Sequence, residues 1–178
     1  MSASLGTQVA PAVEPIKVLA GILQNQMALG AGQIMLGFEN WEIPETPGLY
    51  VSLAYGSEQV IGNNNTSALD SEGNFVEVQQ CVMLHQVVID VLSFDSSARL
   101  RKEGVLWALA SQYAQNEMEL NGMRIASTPG SFTTITSPEP SKQLNRFQLG
   151  IEVYAMHQND VAAPYFDSLQ PVALTVDA

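Results

Sequence analysis

The sequence is poor in basic residues, and this shortage excludes one broad class of function. Lysine and arginine together number 7 against 18 acids, so the formal net charge is −11. A protein that grips nucleic acid neutralises phosphates with a basic surface. We therefore expect no tight binding of DNA or RNA, whereas an acidic wall past which nucleic acid slides is compatible with this charge.

Cysteine and long apolar runs are also scarce. Cys81 is the single cysteine, which excludes an internal disulfide, and its place in a strand pattern predicts a small buried apolar side chain. No apolar stretch approaches the roughly 20 residues of a membrane span, and the start of the sequence lacks the basic and apolar segments of a signal peptide. We expect a chain that is made in the cytoplasm and has no membrane partner.

Charged residues of either sign make up only 14% of the chain, against about 25% in a typical soluble protein. A low charge density is expected where copies or partners bury much of the surface. A polar surface rich in Gln, Asn and Ser also explains the low percentage of charged residues, so composition leaves both interpretations open.

Motifs of catalysis are missing as well. There is no G-x-S-x-G, no Walker loop and no G-x-G-x-x-G. Cys81 and His85 are four residues apart on one strand, too far for a direct hydrogen bond at about 3.3 Å per residue. His157 and Asp160 supply only two of the four ligands that a structural zinc needs. We predict that the protein is not an enzyme and has no catalytic residue, cofactor or metal.

The central feature is a long strand pattern that leads into a helix, from residue 81 to 115. One strand face is apolar and is expected against the helix; it holds Cys81, Met83, His85, Val87, Ile89 and Val91. Three N-cap residue types mark the junction: Asp95, Ser96 and Ser97. The helix has an apolar stripe and ends at Asn121-Gly122; the stripe holds Val105, Leu106, Ala108, Leu109, Ala110 and Tyr113.

Further elements flank this unit. A helix is predicted from Pro15 to about Gly30 by an apolar stripe at Ile16, Leu19, Ala20, Leu23 and Met27. Short strands are predicted within 33–40, 49–54, 59–62, 123–126 and 132–136, and a longer strand with one polar face over 146–155. Polar loops at 63–74 and 137–142 are expected to be mobile or to contact a partner.

This order lacks the regular strand–helix alternation of a parallel fold. We predict an α+β fold in which an antiparallel β-sheet is covered by two α-helices in a single domain. The predicted domain covers residues 14–156, between a flexible N-terminal arm at 1–13 and a C-terminal tail at 157–178.

Arg99, Arg101 and Lys102 form the one basic cluster, at the start of the predicted helix. Two interpretations stay open for these side chains. They are either a solvated helix start paired with Asp95 or Glu103, or a contact for the acidic surface of a partner.

The order of elements resembles that of phage neck or tail terminator proteins, the tail-completion group. Four stretches between residues 14 and 156 carry the resemblance: EPIKVLAGILQNQM, QIMLGFENWEIPETPGLYVSLAYGSEQVIGNN, QQCVMLHQVVIDVLSFDSSARLRKEGVLWAL and KQLNRFQLGIEVYAM. They match a first helix, a short strand with a proline-rich joint and a second strand, a long strand with its covering helix, and a closing alternating strand.

The resemblance implies a structural virion protein without catalytic residues. Such a protein forms a homo-oligomeric, hexameric ring in the neck, caps the tail tube and joins it to the head. Its expected partners are the head connector or adaptor and the tail tube or sheath proteins, and DNA passes through the lumen without specific binding. The alternative is another tail component, such as a tube or baseplate protein, or a homologue from a contractile injection system.

Overall fold

Three long antiparallel strands form the frame of the fold. The computed structural model describes residues 13–37, 46–69, 71–73, 75–127, 130–135 and 144–162. The helices are α1 (Pro15–Gln26), α2 (Ser97–Arg101), α3 (Glu103–Ala110) and α4 (Gln112–Leu120). The strands are β1 (Ile34–Leu36), β2 (Tyr50–Leu69), β3 (Phe75–Ser93), β4 (Met123–Ile125), β5 (Thr133–Thr134) and β6 (Asn145–Ala162).

The strands form one sheet in the order β1-β2-β3-β6-β4, with β5 also paired to β6. β3 lies in the middle and pairs antiparallel with β2 on one side and β6 on the other. The α+β class is therefore confirmed. The expected antiparallel sheet contains one parallel pair, because β1 joins the edge of β2 in the parallel direction.

The start of the first helix and its apolar stripe agree with the prediction from the sequence. α1 begins with Pro15 at its first position, where the missing N–H costs no hydrogen bond. Every member of its predicted apolar stripe is buried: Ile16, Leu19, Ala20, Leu23 and Met27.

The second helix is divided, so the prediction of two covering helices is not confirmed. Ser111 has extended backbone angles between α3 and α4. Its hydroxyl donates to the carbonyl of Ala108 at 2.8 Å and accepts from the amide of Ala114 at 3.1 Å, so one residue ends α3 and caps α4. The predicted stripe is consequently wrong after Leu109. Ala110 and Tyr113 are exposed, and the buried positions shift to Ala114 and Met118.

The core lies between the helices and one face of the sheet. The predicted apolar face of β3 is confirmed at Val87, Ile89 and Val91, which are fully buried. Neighbouring strands contribute Val51 and Leu149 to the same cluster, which also includes residues of α1, α3 and α4. Cys81, on the same strand face, is only half-buried, so the prediction of a buried cysteine is wrong.

The opposite face of the sheet carries a smaller apolar cluster and an ion pair. Met35, Tyr50 and Leu92 form the cluster. Next to it, the guanidinium of Arg146 donates two hydrogen bonds to the carboxylate of Asp90, at 3.1 and 2.8 Å. The bond to Asp90 raises the pKa of Arg146, so the pair stays charged.

Two boundary predictions are wrong. Residues 63–69 are expected in a loop, but they form the last part of β2 and pair with residues 75–81 of β3. Residues 157–162 were expected in a C-terminal tail, but they continue β6 and pair with residues 76–81. The predicted loop at 137–142, the arm at 1–12 and the rest of the tail at 163–178 lie outside the described residues.

Candidate assembly surfaces

The three long strands extend well past the helices and form what we call the distal arm: residues 57–69 of β2, 75–84 of β3 and 156–162 of β6. β2 enters the arm through two irregularities of pairing, at Gly56 and Ile61. Such bulges bend a strand and raise its local twist. The arm therefore begins where the sheet loses its helical cover.

The inner face of the arm is the same sheet face that the helices cover further along. The pairing register places Leu69 opposite Phe75, and Glu77 between Ser67 and Val161, on this face near the tip. Leu69 is 62% exposed and Phe75 55% exposed. We call Leu69, Phe75, Glu77 and Val161 the tip patch: an apolar surface with an acid beside it.

Amide side chains connect the strands between the tip patch and the base of the arm. Asn65 donates to the Glu77 carboxylate at 3.1 Å, and Asn159 donates to Gln79 at 3.4 Å. On the outer face, Gln80 donates to Gln158 at 3.4 Å. These cross-strand contacts hold the arm together with little apolar burial.

The arm is uniformly acidic. Its sequence from residue 57 to 84 and from 156 to 162 contains no lysine or arginine and five acids: Glu58, Asp70, Glu72, Glu77 and Asp160. A surface of this kind repels phosphates and attracts basic partners.

Both outer strands of the arm present an open edge in the part of the chain that the structure describes. The pairing of β1 with β2 covers only residues 51–53, and the pairing of β4 with β6 covers only residues 153–155. Beyond Met156, whose amide donates to the carbonyl of Gly122, β6 pairs with β3 alone. Unpaired edges of this length are templates for another strand.

Both histidines lie at the base of the arm. His85 is 3% exposed, and its Nδ1 donates to the carboxylate of Glu58 at 3.0 Å. Its ring lies 6.0 Å from that of His157 and 5.5 Å from that of Tyr55. The Nε2 atoms of both histidines are buried without a hydrogen-bond partner among the described residues.

The histidine pair lacks a third potential metal ligand among the described residues. His157 lies opposite Cys81 in the register, but no three groups of the His, Cys, Asp and Glu types come together as ligands among the described residues. The spacing of His157 and Asp160 also fails, because residues three apart on a strand point to opposite faces.

The basic cluster is divided between structural and exposed side chains. Arg101 donates to the carbonyl of Met27 at 2.7 Å, which ties α2 to the end of α1. Lys102 pairs with Glu103, as one interpretation of the sequence expected, and lies over the rings of Phe132 and Phe147. Arg99 is exposed and has no ion pair among the described residues. The cluster is therefore only partly available to a partner.

Sequence reasoning missed two highly exposed apolar residues of the helical layer. Leu100 and Trp107 are each 75% exposed. Trp107 lies between two grooves: one of about 360 Å³ beside Met27, Leu100 and Arg101, and one of about 570 Å³ beside Leu109 and Met118. We call Arg99, Leu100, Arg101 and Trp107 the helical patch. The sequence does contain a signal for their exposure, since Leu100 and Trp107 fall outside the predicted apolar stripe.

No family model matches this sequence, and no curated protein matches it. The resemblance to neck terminators therefore stays a prediction from the order of elements in the sequence. None of the helices in the described ranges is long and apolar enough to span a membrane.

Proposed function

We propose that this chain is a structural virion protein, a neck or tail terminator that forms a homo-oligomeric ring and lets DNA pass. The ring caps the tail tube and joins it to the head connector. The observation that carries the proposal is the distal arm: the sheet continues past its own core, with exposed apolar side chains at its tip and, among the described residues, two open strand edges.

An uncovered sheet extension is costly for a monomer and useful for an assembly. Exposed apolar groups such as Leu69 and Phe75 gain from burial when another chain covers them. Open strand edges gain hydrogen bonds when another strand pairs with them. A head-to-tail contact that repeats with a closing rotation produces a ring.

Charge supports the part of the proposal that concerns DNA. The net charge of −11 and the absence of basic residues from the arm disfavour a grip on phosphates. A lumen lined by acids allows a polyanion to move without being held. The number six for the ring comes from the resemblance alone.

The fold also fits the expected layout. In this proposal α1 and the divided run α2–α4 act as the two helical units that cover an antiparallel sheet. Ser111 keeps α3 and α4 together as one covering unit, since it bonds to both helices.

A cryo-electron map of the neck in intact particles tests the proposal. We expect six copies around the axis, with Asp and Glu dominating the channel wall. A map that places the chain outside the DNA path, or that lines the path with residues 99–102, would contradict it. A purified chain that stacks into open tubes would instead favour the tube-protein alternative.

A further inference from the structure

The tip patch and the helical patch have complementary chemistry. Leu69, Phe75 and Val161 present apolar surface beside the carboxylate of Glu77. The helical patch presents Leu100 and Trp107 between grooves, with Arg99 and Arg101 beside them.

Within one copy these two patches do not cover each other. The large apolar side chains of both remain exposed in the isolated chain, at 62% for Leu69 and 75% for Trp107. A single chain therefore carries both halves of a contact that it does not make with itself. Two different, complementary surfaces on one chain allow copies to join head to tail, and such a contact closes into a ring when its rotation closes.

We propose that the tip patch of one copy docks on the helical patch of the next copy. This inference rests on the proposed ring function and names the interface that builds the ring. Apolar side chains of the tip enter the grooves beside Trp107, and Glu77 lies near Arg99 at the rim.

Charge complementarity favours the tip patch of a second copy as the partner of the helical patch. The arm contains acids and no bases, and three of the seven basic residues of the chain lie at 99, 101 and 102. Opposite charges steer two copies together and fix their orientation, while like charges prevent arm-to-arm contact. Tryptophan in the middle of an apolar surface with arginine near it is the usual composition of an energetic anchor.

The contact also gives the arm the cover that it lacks. In the core half, residues of α3 such as Val105 and Ala108 pack on the sheet face that holds Ile89. In the assembled ring, the α2–α3 region of the neighbour does the same for the tip of the arm. The two ends of the sheet face are then covered by helices of two different copies.

Two double variants disable one patch each. The helical variant is Arg99→Glu with Trp107→Ser, and the tip variant is Leu69→Ser with Glu77→Arg. Sedimentation velocity at increasing protein concentration, up to the solubility limit, compares them with the unmodified chain. We expect the unmodified chain to form rings. Each variant alone should associate at least about 30-fold more weakly than the unmodified chain, because an anchor residue is lost.

An equimolar mixture of the two variants is the decisive sample. Each variant retains one intact patch, so the tip of the helical variant binds the helical patch of the tip variant. The two patches left over, the helical patch of the helical variant and the tip patch of the tip variant, are both disabled. The complex therefore cannot add further copies. We expect one-to-one dimers and no rings.

The chain offers a matched control on another part of the helical layer. Leu120 is 80% exposed, and Glu119 is an exposed acid next to it. The variant Leu120→Ser with Glu119→Arg changes the same residue types as the tip variant and should form rings like the unmodified chain. Circular dichroism of all variants checks that each one is folded.

The outcomes separate this inference from the proposed function. Rings that persist in either patch variant, or a mixture that restores complete rings, would overturn the interface and leave the ring function standing. If the unmodified chain and the variants all stay monomeric, the proposed docking of the tip patch on the helical patch is overturned. The map of the neck tests the proposed function independently.

Discussion

The same three strands behave as two different structures along their length. In the covered half, Val51, Ile89 and Leu149 are fully buried under the helices. In the distal arm, residues on the same sheet face are exposed or half-buried, and amide side chains make many of the contacts. Pairing of backbones is common to both halves, and only the covered half has a core.

The difference separates what forms a strand from what stabilises it. Asn63, Asn64 and Asn65 are poor strand formers, yet they pair in register with residues 79–81 of β3. Their strand is set by pairing with β3 rather than by burial. The arm is consequently the region where assembly can add stability.

A matched pair of leucines gives the largest expected contrast. Leu149→Ala removes a fully buried side chain from β6, and Leu69→Ala removes one that is 62% exposed on the same sheet face. We expect the first to lower the free energy of unfolding by about 2–5 kcal/mol, and the second by less than about 0.5 kcal/mol. Chemical denaturation of the monomer measures both.

Equal losses for the two leucines would contradict the division of the sheet into two halves. A large loss at Leu69 would mean that the tip is packed within one copy. That result would also remove the basis for docking the tip on a neighbour.

Periodicity predicted the covered half well, because burial imposes a pattern on the sequence. The stripe of α1, the apolar face of β3 at Val87 and Ile89, and the alternation from residue 146 to 155 all follow from contact with one core. The division of the second helix was missed, since Ser111 is an ordinary residue in a helical pattern. Only its hydrogen bonds to Ala108 and Ala114 reveal the break.

The arm was missed for the complementary reason. A strand that is exposed on both faces carries no apolar alternation, and residues 63–74 contain the Asn, Ser and Gly that are typical of loops. The arm requires pairing between segments nearly 80 residues apart, such as Cys81 with His157. Of the candidate assembly surfaces, only the basic cluster at residues 99–102 could be recognised in the sequence, besides the general indication from the low charge density.

Hydrogen exchange should show the same division without a mutation. β3 pairs with β2 on one side and with β6 on the other, in the arm and in the core alike. We expect amides at 77–83 to exchange about 100-fold faster than those at 87–91, because the arm opens locally without exposing the core. Protection should rise at 77–83 when rings form. Uniform protection along β3 in the monomer would contradict the comparison.

The boundary between the halves has a polar anchor. Glu58 of β2 accepts a hydrogen bond from the buried ring of His85. Glu58→Ala leaves Nδ1 of His85 without this partner, so we expect a loss of about 1–2 kcal/mol in the free energy of unfolding. Exchange should accelerate most at residues 81–86. Ser57→Ala, at an exposed neighbouring position, is the control and should change little.

The smallest expected effect lies at the opposite end of the covered half, where β3 passes into α2. Hydrogen bonds from Ser97, first from its hydroxyl and then from its amide, hold the pKa of Asp95 below the ordinary value of 3.8. A carboxyl whose pKa is lower in the folded state stabilises the fold above its unfolded pKa, and this stabilisation is lost as the pH falls through the folded pKa. Asp95→Asn should therefore melt slightly below the unmodified protein at neutral pH, and the difference should shrink as the pH falls below about 4. Ser97→Ala removes the largest cause of the shift and should weaken this pH dependence, because the bond from the Ser97 amide and the smaller contributions of Ser93 and the Asp95 backbone then remain. Melting curves of the three proteins between neutral and acidic pH measure the effect, and parallel curves would show that Asp95 does not fasten the helical cover to the sheet.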